Sequence, residues 1–270
     1  MNINKPNLIK ITKKLRLETL NMIVKKRKGH LGGTFSCIDI LVVLYYGNIL
    51  KINKFNYQKN NRNRFILSKG HACLALYKIL LDLNIINNKI YNSYGDNGGL
   101  GGQLDMQIPG VDWVTGSLGH AIGVSNGFAL AGKLNKMSYK SYVLLGDAEC
   151  DEGSVWESIM FAGSQKLNNL VVLIDRNRLS VTDFISDDNS YFKNFPKLLK
   201  SFGWNYYEID GHSISQLLSC LNKANNSKLP VMILCNTIKG KGVSFMENSI
   251  KWHHSLPNHD EIEKARKELK

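Results

Sequence analysis

Residues 142–177 read YVLLGDAECDEGSVWESIMFAGSQKLNNLVVLIDRN. Two short apolar runs, Tyr142–Leu145 and Leu170–Ile174, flank a segment of helical pattern at 154–166. Runs that are apolar at every position are strands buried on both faces, which implies a parallel sheet covered by helices. Each run ends in a polar turn, Gly146-Asp147-Ala148-Glu149 after the first and Asp175-Arg176-Asn177-Arg178-Leu179 after the second. Ligands in such sheets sit beyond the carboxyl ends of the strands. A glycine there lets backbone amides approach an anion, and the next helix adds its N-terminal N–H groups. Asp147 would repel that anion unless a cation lay between them, which points to Mg²⁺ or Ca²⁺. Neighbouring strand ends are about 5 Å apart, so the Asn177 amide and the Leu179 carbonyl can reach the same ion. Each turn alone has an ordinary explanation, since Asp and Asn favour turns. Their pairing at two strand ends joined by one helix favours the cation. No GxGxxG follows a first strand, which argues against a dinucleotide site.

Working outward, helical spacing covers residues 8–28 up to Gly29, and an apolar helix covers 36–47, with Ser36 as its expected cap and Gly47 at its end. Phe65–Leu67 reads as a strand entering Ser68-Lys69-Gly70-His71, with a helix to about Leu83. Residues 93–117 are glycine-rich and without period, a length of irregular chain that is usually functional. Helices are expected at 119–134, 191–202 and 213–224, strands at 204–209 and 231–234, and a charged helical tail from His259 to Lys270. With no repeat or linker, residues 1–270 read as a single α/β domain.

The formal net charge is +13, but the lysines are spread along the chain and only Lys25–Lys28 forms a compact basic run. Without aromatic–basic interleaving this argues against nucleic acid and fits weak attraction of phosphorylated substrates. The five cysteines are scattered, odd in number and without a CxxC pair, so neither a disulfide framework nor a zinc–thiolate site is expected. No run approaches the roughly 20 apolar residues of a membrane helix. The polar start, Met1–Lys14, lacks a signal core, so a cytoplasmic location is expected.

The run GDAECDEGSVWESIMFAGSQKLNNLVVLIDRN resembles the thiamine-diphosphate signature, and its detail is similar to transketolases. So are GHLGGTFSCIDILVVLYY at 29–46, RFILSKGHACLALY at 64–77, TGSLGHAIGVSNGFALAGKL at 115–134, EIDGH at 208–212 and TIKGKGVSFMENSIKWHH at 237–254. The resemblance implies the diphosphate-binding (PP-type) domain of the thiamine-diphosphate fold, and thiamine diphosphate with Mg²⁺ or Ca²⁺ as cofactors. By the same resemblance, Asp147, Asn177 and the Leu179 carbonyl are the metal ligands. Gly146, Ala148 and Glu149 cradle the diphosphate with His71 nearby. Gly116, Ser117 and Leu118 form the loop against the cofactor rings. Glu152 lies at a subunit interface. His30 and His253 surround the substrate, with His253 only slightly preferred over His254. His120, His212 and His259 keep a structural or solvated reading. Activating the cofactor's aminopyrimidine requires a glutamate from a second, pyrimidine-binding domain. The chain is therefore expected to work with that domain as a separate transketolase subunit, in an α2β2 assembly acting on sugars or sugar phosphates.

Two positions depart from the family's pattern. Ala148 replaces the second glycine of GDG, which is tolerable if its φ is negative. Gly101-Gly102-Gln103 stands where the family carries GGH, so Gln103 joins the candidate catalytic residues and the usual sugar-phosphate donor is in question. The alternatives are another split thiamine enzyme, such as a 2-oxo-acid dehydrogenase alpha subunit or a transferase with an altered donor, and a non-catalytic relative. Asp183, beyond the metal turn, is expected to take no part.

Overall fold

The computed structural model describes residues 4–180, 185 and 191–270. Its sheet has strands β1 (Arg64–Leu67), β2 (Ser141–Gly146), β3 (Leu170–Arg176), β4 (Asn205–Asp210) and β5 (Val231–Asn236). Their spatial order is β1-β2-β3-β5-β4, and every pairing is parallel. Helices are α1 (Lys5–Lys26), α2 (Leu31–Tyr46), α3 (Cys73–Asp82), α4 (Asn88–Asn92), α5 (Ala121–Leu134), α6 (Gly153–Ser164), α7 (Phe195–Ser201), α8 (Ile214–Asn225) and α9 (His259–Leu269).

Alternation along the strands divides the core into two layers, because successive side chains point to opposite faces. Tyr142, Leu144, Val171, Leu173, Val231 and Ile233 meet α1, α2, α3, α8 and α9 on one face. Val143, Leu145, Val172, Ile174, Met232 and Leu234 meet α5, α6 and α7 on the other. Strand β4 closes one edge with half-exposed Tyr206 and Tyr207 and the carboxylates of Glu208 and Asp210, a composition that discourages further pairing. The α/β reading with a doubly covered parallel sheet is borne out.

One helix start differs. Helix α2 begins at Leu31 and includes Gly32 and Gly33, so Ser36 lies inside it and caps nothing. The glycines, poor helix formers, hid this start. They are there because a β-carbon on Gly33 would lie 2.7 Å from Nε2 of His71, and one on Gly32 would lie 3.0 Å from the Trp252 carbonyl. Residues 191–202 divide into a 3-10 turn, Tyr191–Asn194, and α7, where Pro196 suits the first helical turn. Asp183 lies outside the described residues. Ser93 to Gly119 is irregular apart from tight turns, yet it is anchored by buried Leu100, Leu104 and Ile108 and by an ion pair between Arg62 and Asp112.

Candidate active site

Four adjacent strand ends converge on one open cavity with a volume of about 80 Å³. Strand β1 leads into Ser68–His71, β2 into Asp147–Glu149, β3 into Asn177–Ser180 and β5 into Thr237–Lys239. The cavity is lined by Gly33, Lys69, His71, Leu118, Gly146, Asp147, Ala148, Glu149, Asn177, Leu179, Ser180, Lys239 and His253. A second cleft, at the amino ends of β1 and β2, is lined by Asn56, Lys59, Arg62 and Lys140 and carries no acid–base pair.

The oxygen donors expected around a cation come from two adjoining turns, after β2 and after β3. Asp147 is 2% exposed, and its two carboxylate oxygens accept the backbone N–H groups of Arg178 at 2.6 Å and Ala148 at 2.9 Å. Arg178 has φ +59°, a left-handed conformation that costs a non-glycine residue about 1 kcal/mol. That bend leaves Asn177 and Leu179 on the cavity wall, with Asn177 Oδ1 accepting the Leu179 N–H at 3.1 Å. Burial, reinforced by the neighbouring Asp175, pushes the Asp147 carboxyl up to about 6. A divalent cation on Asp147, Asn177 and the Leu179 carbonyl would relieve that penalty, and an all-oxygen set suits Mg²⁺ or Ca²⁺. Ala148 is absent from the positive-φ residues and opens a 3-10 turn, so its methyl group is accommodated as expected.

Two lysines unassigned from the sequence supply positive charge. Lys69, 3% exposed, is ion-paired with Asp175, which also accepts from Ser36 Oγ at 2.6 Å and from Thr237. The Asp175 carboxylate more than offsets burial and holds the Lys69 ammonium charged. Lys239 donates to the carbonyls of Leu179 at 3.3 Å and Ser180 at 2.9 Å. Burial and the nearby Lys69 bring its pKa down to about 8. Its own segment is fixed by His212, whose Nε2 accepts the Ile238 N–H at 2.9 Å while Nδ1 lies 2.8 Å from Asp39. His212 is therefore a structural residue, in keeping with its plain reading.

Glu149 lines the cavity, and its carboxylate is held by the protein. Its carboxylate turns inward to accept from Ser68 Oγ, from Gly119 N–H at 2.9 Å and from Gly146 N–H at 3.2 Å. It ties the 116–119 loop to the end of β2 instead of offering itself to an anion. Gly116 and Gly119 have φ +139° and +80°, and the loop they shape leaves Leu118 42% exposed at the cavity mouth. Ser117 turns away, its Oγ 3.3 Å from His120 Nδ1, and Glu152 is exposed at the start of α6. Neither lines the cavity. Gln103 lies beside it: a β-carbon on Gly70 would sit 2.1 Å from Gln103 Oε1, and one on Gly116 would sit 3.4 Å from its Cγ.

The histidines cluster at the mouth. Ring centroids of His30 and His71 are 5.4 Å apart, His30 and His253 5.5 Å, and His71 and His253 5.6 Å. His254, left open as an alternative to His253, joins the cluster 4.7 Å from His30, but only His253 lines the cavity. Burial and then Lys239 push His253 down to about 3, and burial and then His254 lower His30. Burial and then Lys69 hold His71 well below its ordinary value. All three rings are neutral bases at neutral pH. In the unfolded chain they titrate near 6.5, so below that pH the unfolded state binds more protons and folded stability falls as pH drops from about 6.5 toward about 3. His253→Asn is expected to make this acid limb shallower in urea unfolding at about pH 7.5 and about pH 5. An unchanged difference between the two would show that the ring is protonated in the folded chain.

The sequence profile of the family described as transketolase, thiamine diphosphate binding domain, matches residues 8–270. The chain belongs to that family. It is 35% identical over 260 residues to one subunit of the apulose-4-phosphate transketolase of Phocaeicola vulgatus, covering 96% of this chain and 92% of that one. It is 35% identical over 243 residues to a 6-deoxy-6-sulfo-D-fructose transketolase subunit from a Clostridium species, covering 89% of this chain and 88% of that one. Transketolase from Campylobacter jejuni has the same fold, with a TM-score of 0.90 at 28% identity over 100% of this chain and 43% of that one. This chain thus spans less than half the length of that solved transketolase. The expected family and fold class are borne out, and so is the reading as one subunit of a thiamine-diphosphate-dependent transketolase.

Set within the transketolase family, the site contains more than the sequence motifs assigned. Lys69, Lys239, Asp175, Ser36 and Thr237 were unassigned because a buried lysine is recognisable only with its partner. Lys69 and Asp175 are 106 positions apart and meet across the end of β2, which lies between their strands. The available signal was a lysine inside each of two quoted motifs, SKGH and TIKG, directly after an apolar run.

Proposed function

We propose that the chain is the cofactor-holding subunit of a split transketolase, working with a separate pyrimidine-binding subunit in an α2β2 assembly in the cytoplasm. It passes a two-carbon ketol unit from a ketose or ketose phosphate to an aldose. The observation that carries this reading is the convergence at one cavity of a hard-oxygen set, two buried lysines and neutral imidazoles. It is supported by relatives of similar length named as transketolase subunits. Thiamine diphosphate, when bound, supplies the carbon that stabilises the ketol fragment's negative charge.

The chain's own residues then have separable tasks. Asp147, Asn177 and the Leu179 carbonyl hold Mg²⁺ (or Ca²⁺) against the diphosphate, where the Gly146 and Ala148 backbone, Lys69, Lys239 and His71 add donors. Gly116 and Leu118 seat the rings, Ser117 holds the loop through His120, Glu149 fastens that loop, and Glu152 faces the partner subunit. His30 and His253, held neutral, each accept a proton from a sugar hydroxyl at a ring nitrogen and return it to the product. The test supplies the chain, its partner, cofactor and Mg²⁺ with a ketose phosphate and an aldose. A shortened aldose and a lengthened ketose are expected, and their absence with every donor would sink the reading.

Gln103 bears on which donor is used. Glutamine hydrogen-bonds a hydroxyl but does not titrate near neutral pH, and such a contact discriminates strongly among substrates. Two relatives are named for uncommon sugars, apulose 4-phosphate and 6-deoxy-6-sulfo-D-fructose. We expect xylulose 5-phosphate to be a poor donor, and Gln103→His to change the ratio of kcat/KM between donors at least about tenfold. A wild type that prefers xylulose 5-phosphate, with every ratio unchanged in the variant, would remove Gln103 from specificity.

A further inference from the structure

His254 contributes an imidazole that the proposed reaction does not use. It is exposed, directly follows the 3-10 turn Ile250–His253, and stands 4.5 Å from the His253 ring and 4.7 Å from the His30 ring. One nitrogen from each of His30, His253 and His254 can be chosen so that all three lie within 4.8 Å of one another. Nδ1 of His253 is buried and has no hydrogen-bond partner. We propose that His30, His253 and His254 form a three-imidazole site for Zn²⁺ at the mouth of the cavity, separate from the oxygen site around Asp147.

The donor chemistry selects the metal. Three imidazoles without a carboxylate are a poor set for Mg²⁺ or Ca²⁺ and a good one for zinc, which binds three histidines and leaves a fourth position for water or a hydroxyl ligand. Tetrahedral Zn–N bonds of about 2.0–2.1 Å place the nitrogens about 3.3 Å apart, so the donors must close by up to about 1.5 Å. His254 is exposed and can turn to meet the two half-buried rings. Burial keeps His30 and His253 neutral, so their lone pairs need not first lose a proton. Lys69 and Lys239 raise the local positive potential and oppose a cation, which sets the expected affinity near micromolar instead of the far tighter range of closed structural sites. Zinc bound here occupies the lone pairs of His30 and His253. Resting on the proton role proposed above, it inhibits ketol transfer.

The test begins with binding, which does not depend on that role. Zn²⁺ is titrated calorimetrically into the purified full chain in excess Mg²⁺, without thiamine diphosphate. One zinc per chain with a Kd of about 1 μM is expected. His254→Asn should weaken it at least about tenfold, whereas His259→Asn should leave it unchanged. Because His254 is exposed, folding of its variant can be confirmed by the unchanged urea midpoint. X-ray absorption should show only nitrogen and oxygen neighbours, at about 2.0 Å, and no sulfur. Equal zinc affinity in wild type and His254→Asn, or sulfur in the zinc shell, would overturn the site. In the assembled enzyme, micromolar zinc should inhibit the wild type and spare His254→Asn. Binding lost in His254→Asn, together with inhibition equal in both, would refute the inhibitory role and leave the zinc site standing.

Discussion

Asp147→Asn is expected to weaken thiamine diphosphate binding to the assembled enzyme in Mg²⁺ by at least about 100-fold, about 2.7 kcal/mol. The substitution keeps the side chain's size and one of the two oxygens that accept the Arg178 and Ala148 amides, while removing the charge that holds the cation. Lys69 and Lys239 remain, so binding is weakened without every anion contact being lost. Folding should respond differently. The carboxyl is raised to about 6, so its charge burdens the cation-free chain at neutral pH. Asp147→Asn should therefore be about as stable as the wild type when neither holds metal. Asn177→Ala should weaken the cofactor less, since it removes a neutral ligand. Asp183, outside the described residues, is expected to matter little. Calorimetry with thiamine diphosphate and Mg²⁺, paired with urea unfolding of the metal-free chains, separates these outcomes. Unchanged affinity in Asp147→Asn would rule out the cation bridge.

Ketol transfer by the purified chain alone should be undetectable, and adding the pyrimidine-binding partner should restore it. Among the described residues lining the cavity the carboxylates are Asp147 and Glu149, and both are engaged. Asp147 faces the Arg178 and Ala148 amides, while Glu149 is held by Ser68 and the Gly119 and Gly146 amides. Neither is free to hydrogen-bond an aminopyrimidine, which supports the proposal that a partner subunit supplies the activating carboxylate. At the cavity mouth Leu118 is 42% exposed, an apolar side chain that a partner subunit would cover. The measurement is turnover as a function of added partner, expected to saturate at one partner per chain. Full turnover without the partner would overturn the split-enzyme reading.

Much of the molecule was legible in the sequence because it depends on local order. Apolar runs such as Tyr142–Leu145 and Leu170–Ile174 announce strands buried on both faces, and the turns after them must lie where a parallel sheet binds its ligands. That placed Asp147, Asn177 and Leu179 on one wall from spacing alone, and the motifs around them identified the family. The α2 start was lost because Gly32 and Gly33 lower local helix propensity. Their reason for being there is the distant His71 and Trp252.

Tertiary structure decided whatever needed two distant segments at once. A glutamate after a glycine reads as part of an anion cradle, yet Glu149 faces Ser68 and the Gly119 and Gly146 amides because burial requires its charge to find several donors. Lys69 is intelligible only opposite Asp175, and His254 only beside His30, since ion pairs and imidazole clusters are set by distance in space. The sequence by itself determined the sheet, the family and the strand ends that bear the chemistry. Which charges are satisfied there and which lone pairs stay free was decided by the strand order β1-β2-β3-β5, which brings four separate turns to one cavity.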